Sequence, residues 1–390
     1  MKKTNYIQYA WKAKNEKQHL YIDRNACAEL IEELLEKNVR RILIVCSNAT
    51  RKLKAFDNLI DELGDKGFRV FVYCLSERYL IDRDVLGAIK IYREYSCNTV
   101  LTVGSSAETD CGKLVSALIG NPHKNLASIT GTNLLKHNSA FHCCVVTEDI
   151  VSSSMASAEY MEESTGTWKT VMSNKLVPNT VVFDTDFLDR ASLGTFVLST
   201  ISSLCTAMES YVNPLSFDFP EYRACAVTSC NSTFKYLEAL CEDPADTFLR
   251  MQVAIGGFYA GLAARKMGYG YAHVIMHVLI SEFGITHGSL LDRILPLTLA
   301  KTCEDNPTIL AQLAKEINVC PVSLPDDEAS GLLIEKLNEL FAAIKYPNDD
   351  LKIDDKQIPI LVSKIQREAS TYSFGKQLDS ETISLILKAL

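Results

Sequence analysis

The sequence predicts an α/β domain built on a parallel sheet, followed by an all-helical domain. Short apolar runs alternate with amphipathic stretches through the first part of the chain, the order expected of parallel strands joined by helical crossovers. Ten of the eleven prolines lie from Pro178 onward, where they separate long helical patterns, as proline does at helix starts and between helices. At 390 residues the chain is also longer than one hydrophobic core usually supports. The α/β domain is expected over residues 1–186 and the helical domain over 187–390. A pocket between two such domains is the usual place for a ligand.

The runs Arg41–Cys46, Arg69–Cys74 and Thr99–Val103 are apolar without a break, as strands covered on both faces are. Between and before them, Ala26–Lys37, Lys54–Lys66 and Val85–Tyr95 carry apolar residues at helical spacing. After the third strand, Gly104-Ser-Ser-Ala-Glu-Thr-Asp-Cys-Gly-Lys113 leads into the helical run Leu114–Ile119. Small residues between a strand and a helix let backbone N–H groups approach a pyrophosphate, and the helix N-terminus favours its charge. Lys113 would add a counter-charge, and Asp110 would hold the loop or contact a ribose. The same residues also suit a plain polar turn, with Asp110 as an N-terminal helix residue. The character changes near Val177-Pro-Asn-Thr-Val-Val-Phe-Asp184; beyond it Ala191–Tyr211, Asp246–Lys266, Ala272–Phe283 and Leu332–Ile344 read as helices.

Composition narrows the partners. Apolar residues are 47% and charged residues 23% of the chain, ordinary for a soluble protein with an ample core. A net charge of -8 argues against nucleic acid or an anionic membrane as partner. The start, Met1-Lys-Lys-Thr-Asn-Tyr-Ile, is basic but lacks an apolar core segment, and no stretch is long enough to span a bilayer. Thirteen cysteines include no Cys-x-x-Cys pair and read as small buried hydrophobes in a reducing compartment, so a cytoplasmic location is expected.

Three of the seven histidines, His273, His277 and His287, fall within Tyr271–Gly288. Four residues apart, His273 and His277 share a helix face, and a Gly-containing turn can fold His287 back toward them. Such a cluster suits Fe, Zn, Ni or Cu. Each histidine could equally pack in a core or cap a helix.

Three stretches together resemble one family. The Gly104–Lys113 loop is similar to the Gly-Gly-Gly-Ser-x-x-Asp-x-Ala-Lys motif of the iron-containing alcohol dehydrogenases, relatives in fold of dehydroquinate synthase. Lys175–Asp184 resembles the family's domain-joining segment, and His273–Pro296 resembles its His-rich metal segment in residues and spacing. The resemblance covers essentially the whole chain and implies a dehydroquinate synthase-like fold. It implies an NAD(P) cofactor along Gly104, Ser105, Ser106, Asp110 and Lys113, with Ser152 and Ser153 in a second cofactor-contacting segment that ends at Glu159. It also implies a divalent metal that polarises the substrate oxygen while hydride passes to or from the nicotinamide. His273 and His287 match two metal-ligand positions, and His277 matches a site-lining histidine; His277 or His273 is the candidate proton relay.

The sequence departs from the family where its aspartate and first histidine ligands should stand. The matching segment reads Ser202-Ser-Leu-Cys-Thr206-Ala-Met-Glu209-Ser-Tyr211, which puts Ser202 and Thr206 in those places. Hydroxyls are poor ligands for Fe(II), so Fe or Zn is expected to be held weakly. Cys205 is expected on a different helix face, and Glu209 is a scaffold position. Ser47, with Arg51 and Lys52 close by, would tolerate NADP. The expected function is a divergent NAD(P)-dependent oxidoreductase of a small alcohol or aldehyde, as a homodimer or larger. The alternative is a repurposed member without redox chemistry: a binding or partner subunit, or an enzyme of another class in the same cleft.

Overall fold

The structure, a computed structural model, describes residues 18–76, 79–344, 346–370 and 376–390. The basic start of the chain lies outside them. Two compact units divide the chain, Met1–Ser192 and Leu193–Leu390.

The first unit runs β1 (His19–Asp23), α1 (Cys27–Glu36), β2 (Arg41–Cys46), α2 (Lys54–Asp65), β3 (Arg69–Cys74), α3 (Asp82–Glu94), β4 (Thr99–Gly104) and α4 (Ser106–Gly120). It continues with α5 (Leu126–Ile129), β5 (Gly131–Thr132), β6 (His142–Val146), β7 (Ser157–Glu162), β8 (Thr167–Met172), β9 (Thr180–Asp184) and α6 (Thr185–Leu188). Six strands form one sheet in the order β1-β9-β6-β4-β2-β3, with every described pair parallel. The predicted strand runs are β2, β3 and β4, and their lack of alternation has a plain cause. Leu43, Val45 and Val100 pack on one face of the sheet, and Ile42, Ile44, Leu101 and Val103 on the other, so both faces need apolar side chains. From β2 the chain passes to β3 on one side and to β4 on the other. That reversal is the switch point where open α/β sheets bind ligands, outside the carboxyl ends of the strands. The sequence reading did not resolve the smaller sheet, β5-β8-β7, in which β7 and β8 form an antiparallel hairpin.

The regular elements of the second unit are helices throughout its described residues. Its helices are α7 (Leu193–Val212), α8 (Pro220–Glu242), α9 (Thr247–Met267), α10 (Tyr271–Phe283), α11 (Leu291–Thr302), α12 (Thr308–Glu316), α13 (Asp326–Ala343), α14 (Ile358–Ala369) and α15 (Ser380–Lys388). Pro220 opens α8 at its first turn, Asp246 caps α9 by accepting from the Leu249 N–H at 3.0 Å, and Gly268 and Gly284 end α9 and α10 at positive φ. Pro296 departs from the expected punctuation, because it lies inside α11. From Phe196 to Tyr211 nearly every residue of α7 is buried. Helices therefore surround α7 on more than one face, and its many hydroxyls are interior groups. No helix among the described residues is long and apolar enough to cross a membrane.

Candidate active site

α10 carries the centre of the site. His273 and His277 lie one turn apart on it, each only 2% exposed. Gly284 stops the helix in the left-handed region and Gly288 reverses the chain at φ +89°, where an added Cβ would also meet the Leu198 carbonyl at 3.1 Å. The turn returns His287, and the three imidazoles form a near-equilateral triangle with ring centroids 6.2 to 6.4 Å apart. Tyr269 stacks on His273 at 4.7 Å and meets His277 edge-on at 5.6 Å. His287 keeps exposed surface, yet the protein packed around it, then His277 and His273, push its pKa down, so the ring is neutral at pH 7.

Two carboxylates orient two of the rings. Glu209 of α7 accepts from the Gly270 N–H at 2.9 Å and the Ala272 N–H at 2.7 Å, and its other contact is His273 Nδ1 at 2.7 Å. One carboxylate thus caps α10 and fixes the tautomer of a histidine in its first turn. The fit leaves no room for a side chain at 270, since a Cβ there would lie 2.4 Å from Glu209 Cδ. His277 Nδ1 lies 3.0 Å from Glu368 of α14. Nothing in the sequence marks Glu368, which reaches the site only because α14 packs on α10.

Ser202 and Thr206, the hydroxyl residues expected in ligand positions, are buried. Thr206 Oγ1 is 3.0 Å from the Ser202 carbonyl oxygen, to which it donates, and 3.3 Å from His273 Nε2. Cys205 leaves a different face of α7 from Thr206, as expected, but that face is not turned away from the site: its Sγ lies 3.4 Å from His273 Nδ1, and Cys205, Glu209 and His273 offer donor atoms all within 4.8 Å of one another. His273 sits over the seam between two adjacent faces of α7, so Thr206 meets one ring nitrogen while Cys205 and Glu209 meet the other. Burial, reinforced by Glu209, pushes the Cys205 thiol well above its usual pKa.

In the first unit, Ser47 and the loop after Gly104 lie at the switch point, at the ends of β2 and β4. The Ser47 hydroxyl bonds Thr50 within its own turn. Ser105 is the N-cap of α4, and Glu108 closes a capping box by accepting from the Ser105 N–H at 2.9 Å and the Ser105 hydroxyl at 2.7 Å. Ser-x-x-Glu opening a helix was a legible signal that the sequence reading passed over. Ser106 Oγ is buried without a hydrogen-bond partner. Lys113 is fully buried and donates to Asp110 at 3.2 Å, Ser152 Oγ at 2.8 Å and the Ser157 carbonyl at 2.6 Å. Asp110 also accepts from the Ser152 hydroxyl and from the Glu159 N–H. The two charges tie α4 to β7, and Ser153 turns inward to the Ile150 carbonyl. Half-buried Glu148, just past β6, has its pKa raised to about 7 by burial and then by Glu108 and Asp149.

Comparison with known proteins places the family and the fold. The family model described as iron-containing alcohol dehydrogenase matches residues 17–185, and the C-terminal model of the Fe-containing alcohol dehydrogenase family matches 196–390. Alcohol dehydrogenase 4 of Schizosaccharomyces pombe is 20% identical over 369 residues, 94% of this chain and 86% of the yeast protein. The 1,3-propanediol dehydrogenase of Citrobacter freundii is 21% identical over 90% of this chain and 91% of its own. Among solved structures, a 1,3-propanediol oxidoreductase superposes with a TM-score of 0.88 at 19% identity, covering 99% of each chain. The NADH-dependent butanol dehydrogenase A of Thermotoga maritima gives 0.82 at 19% identity, covering 95% of this chain and 96% of its own. These structures share the fold: a parallel-sheet α/β unit, then a helical unit. The chain belongs to the iron-containing alcohol dehydrogenase family.

Proposed function

We propose that the chain is an oxidoreductase that passes hydride between a nicotinamide cofactor and a small alcohol or aldehyde, with His277 as proton relay. The observation that carries this reading is the pairing of buried His277 with half-buried Glu368 at 3.0 Å. The carboxylate holds Nδ1–H, so Nε2 is the nitrogen that exchanges a proton with the substrate oxygen, and Glu368 stabilises the imidazolium that forms. Gly104, Ser105 and the buried, unpartnered Ser106 hydroxyl would hold the pyrophosphate, provided Glu108 rotates off the helix N-terminus. Asp110, Lys113, Ser152 and Ser153 brace that loop from within. When bound, the nicotinamide supplies the hydride carrier. The residues in the family's ligand positions do not suit iron: Ser202 and Thr206 bring no charge, and only His273 and His287 remain. No step is routed through a metal there. The thirteen free thiols support a reducing, cytoplasmic setting, and a homodimer or larger assembly is carried over from the family.

Glu108, Glu148 and Asp149 favour a second reading, since carboxylates at these strand ends oppose a phosphate. Under it the member no longer takes a dinucleotide and serves as a binding or partner subunit, or as an enzyme of another class. Calorimetric titration with NADH and with NADPH separates the two. Saturable binding of either, with turnover of short alcohols falling at least about 100-fold in His277→Gln, supports the relay. No binding of either nucleotide sinks the oxidoreductase reading and leaves the second.

A further inference from the structure

We propose that Cys205, Glu209 and His273 form a metal site of their own, on the Nδ1 side of His273, for a thiophilic divalent cation of the zinc type. The site shares His273 with the family's ligand pattern but approaches it from the other ring nitrogen, and neither Cys205 nor Glu209 is a ligand in that pattern. It does not rest on the nicotinamide reading.

Four observations support it. First, the spacing is close to that of a bound metal. Tetrahedral sites with bonds of about 2.0–2.3 Å keep neighbouring donors roughly 3.3–3.8 Å apart. Cys205 Sγ already stands 3.4 Å from His273 Nδ1. Glu209 Oε2, at 2.7 Å from the same nitrogen, would open by about half an ångström. Second, the charge closes. A thiolate and a carboxylate cancel a divalent cation, so the buried complex is neutral, whereas the hydroxyls of Ser202 and Thr206 could not provide this. Third, the surrounding hydrogen bonds suit ligation through Nδ1. The imidazole proton moves to Nε2, where Thr206 Oγ1 at 3.3 Å accepts it while donating its own hydrogen to the Ser202 carbonyl at 3.0 Å. The Gly270 and Ala272 N–H groups hold the Glu209 carboxylate in place. The threonine in a former ligand position thereby becomes the group that orients the ligand. Fourth, one of the three donors borders open space: Glu209, with Gly270, Tyr271 and Cys303, lines a cavity of about 350 Å³.

Binding breaks the Cys205 S–H bond and forms a sulfur–metal bond. One proton leaves to solvent, the histidine stays neutral, and no electrons move. Thiolate, imidazole and carboxylate together select zinc-like ions over Mg²⁺ or Ca²⁺. Three protein donors leave a fourth position for water.

The test uses the full chain stripped of metal and titrated with Co²⁺ as a spectroscopic stand-in. We expect one Co²⁺ per chain after dialysis and a near-ultraviolet thiolate-to-cobalt charge-transfer band. Cys205→Ser should abolish the band and weaken binding at least about 100-fold; Thr206→Val should weaken it about 10-fold. His287→Ala should leave both stoichiometry and band in place. Thermal melts of the metal-free variants separate lost binding from lost folding. Failure of the wild-type chain to retain Co²⁺ overturns the proposal. So does bound Co²⁺ without the band, or binding that survives Cys205→Ser and vanishes in His287→Ala.

Discussion

His142 offers a quantitative test of how tightly α4 is packed on the sheet. It lies buried in β6, its Nε2 is 3.2 Å from the Thr102 hydroxyl, and its Nδ1 has no partner. Burial, then the Lys113 charge, lower its pKa to about 3. The unfolded chain takes up this proton near pH 6.5. Between about pH 6.5 and pH 3 the unfolded state therefore holds more protons, and stability falls as pH falls through that window. At pH 5 the loss is set almost wholly by the distance to the unfolded value, about 1.5 units, and comes to ~2 kcal/mol relative to neutral pH. The perturbation is His142→Gln, which keeps a hydrogen-bonding group of similar size but does not titrate. Denaturant unfolding of both proteins at pH 7 and pH 5, followed by hydrogen exchange of β4 and β6 amides, isolates the term. The wild-type chain should lose ~2 kcal/mol more than the variant over that interval. Parallel losses in the two proteins would refute the burial of a neutral imidazole there.

Other perturbations separate structural from ligand-binding roles. Lys113→Met should lower stability by about 3 kcal/mol, because it strands Asp110 in the interior; a melting point unchanged from wild type, with weaker nucleotide binding alone, would mean the ammonium faces a ligand. Gly270→Ala should cost roughly 2–3 kcal/mol as the new Cβ drives Glu209 off α10, whereas Gly64→Ala in α2, with nothing within 4 Å, should stabilise by about 0.5 kcal/mol in the same thermal assay. Glu108→Gln should tighten NADH or NADPH binding about 10-fold by removing a negative charge from the α4 N-terminus, and calorimetry showing weaker binding would count against the pyrophosphate lying there.

Much of this molecule is set by local pattern. Unbroken apolar runs placed β2, β3 and β4 because both faces of a parallel sheet are covered. Helical periodicity, Gly284 and proline spacing outlined the second unit and the return of His287 toward α10. The spacing of His273, His277 and His287 was likewise legible, because it is a matter of residue identity at fixed intervals. What each residue touches was not. Cys205 meets His273 because α7 is buried on several faces, a condition that one-face helical logic does not foresee. Glu368 reaches His277 across 91 positions of sequence, a contact only the packing of α14 on α10 creates. Lys113, a candidate phosphate ligand by motif, points inward to Asp110, since a buried ammonium needs three acceptors and the interior supplies them. Periodicity constrains which side chains leave the backbone on one face; tertiary packing decides what stands opposite, and hydrogen-bond and charge balance in the interior decide which donor takes it.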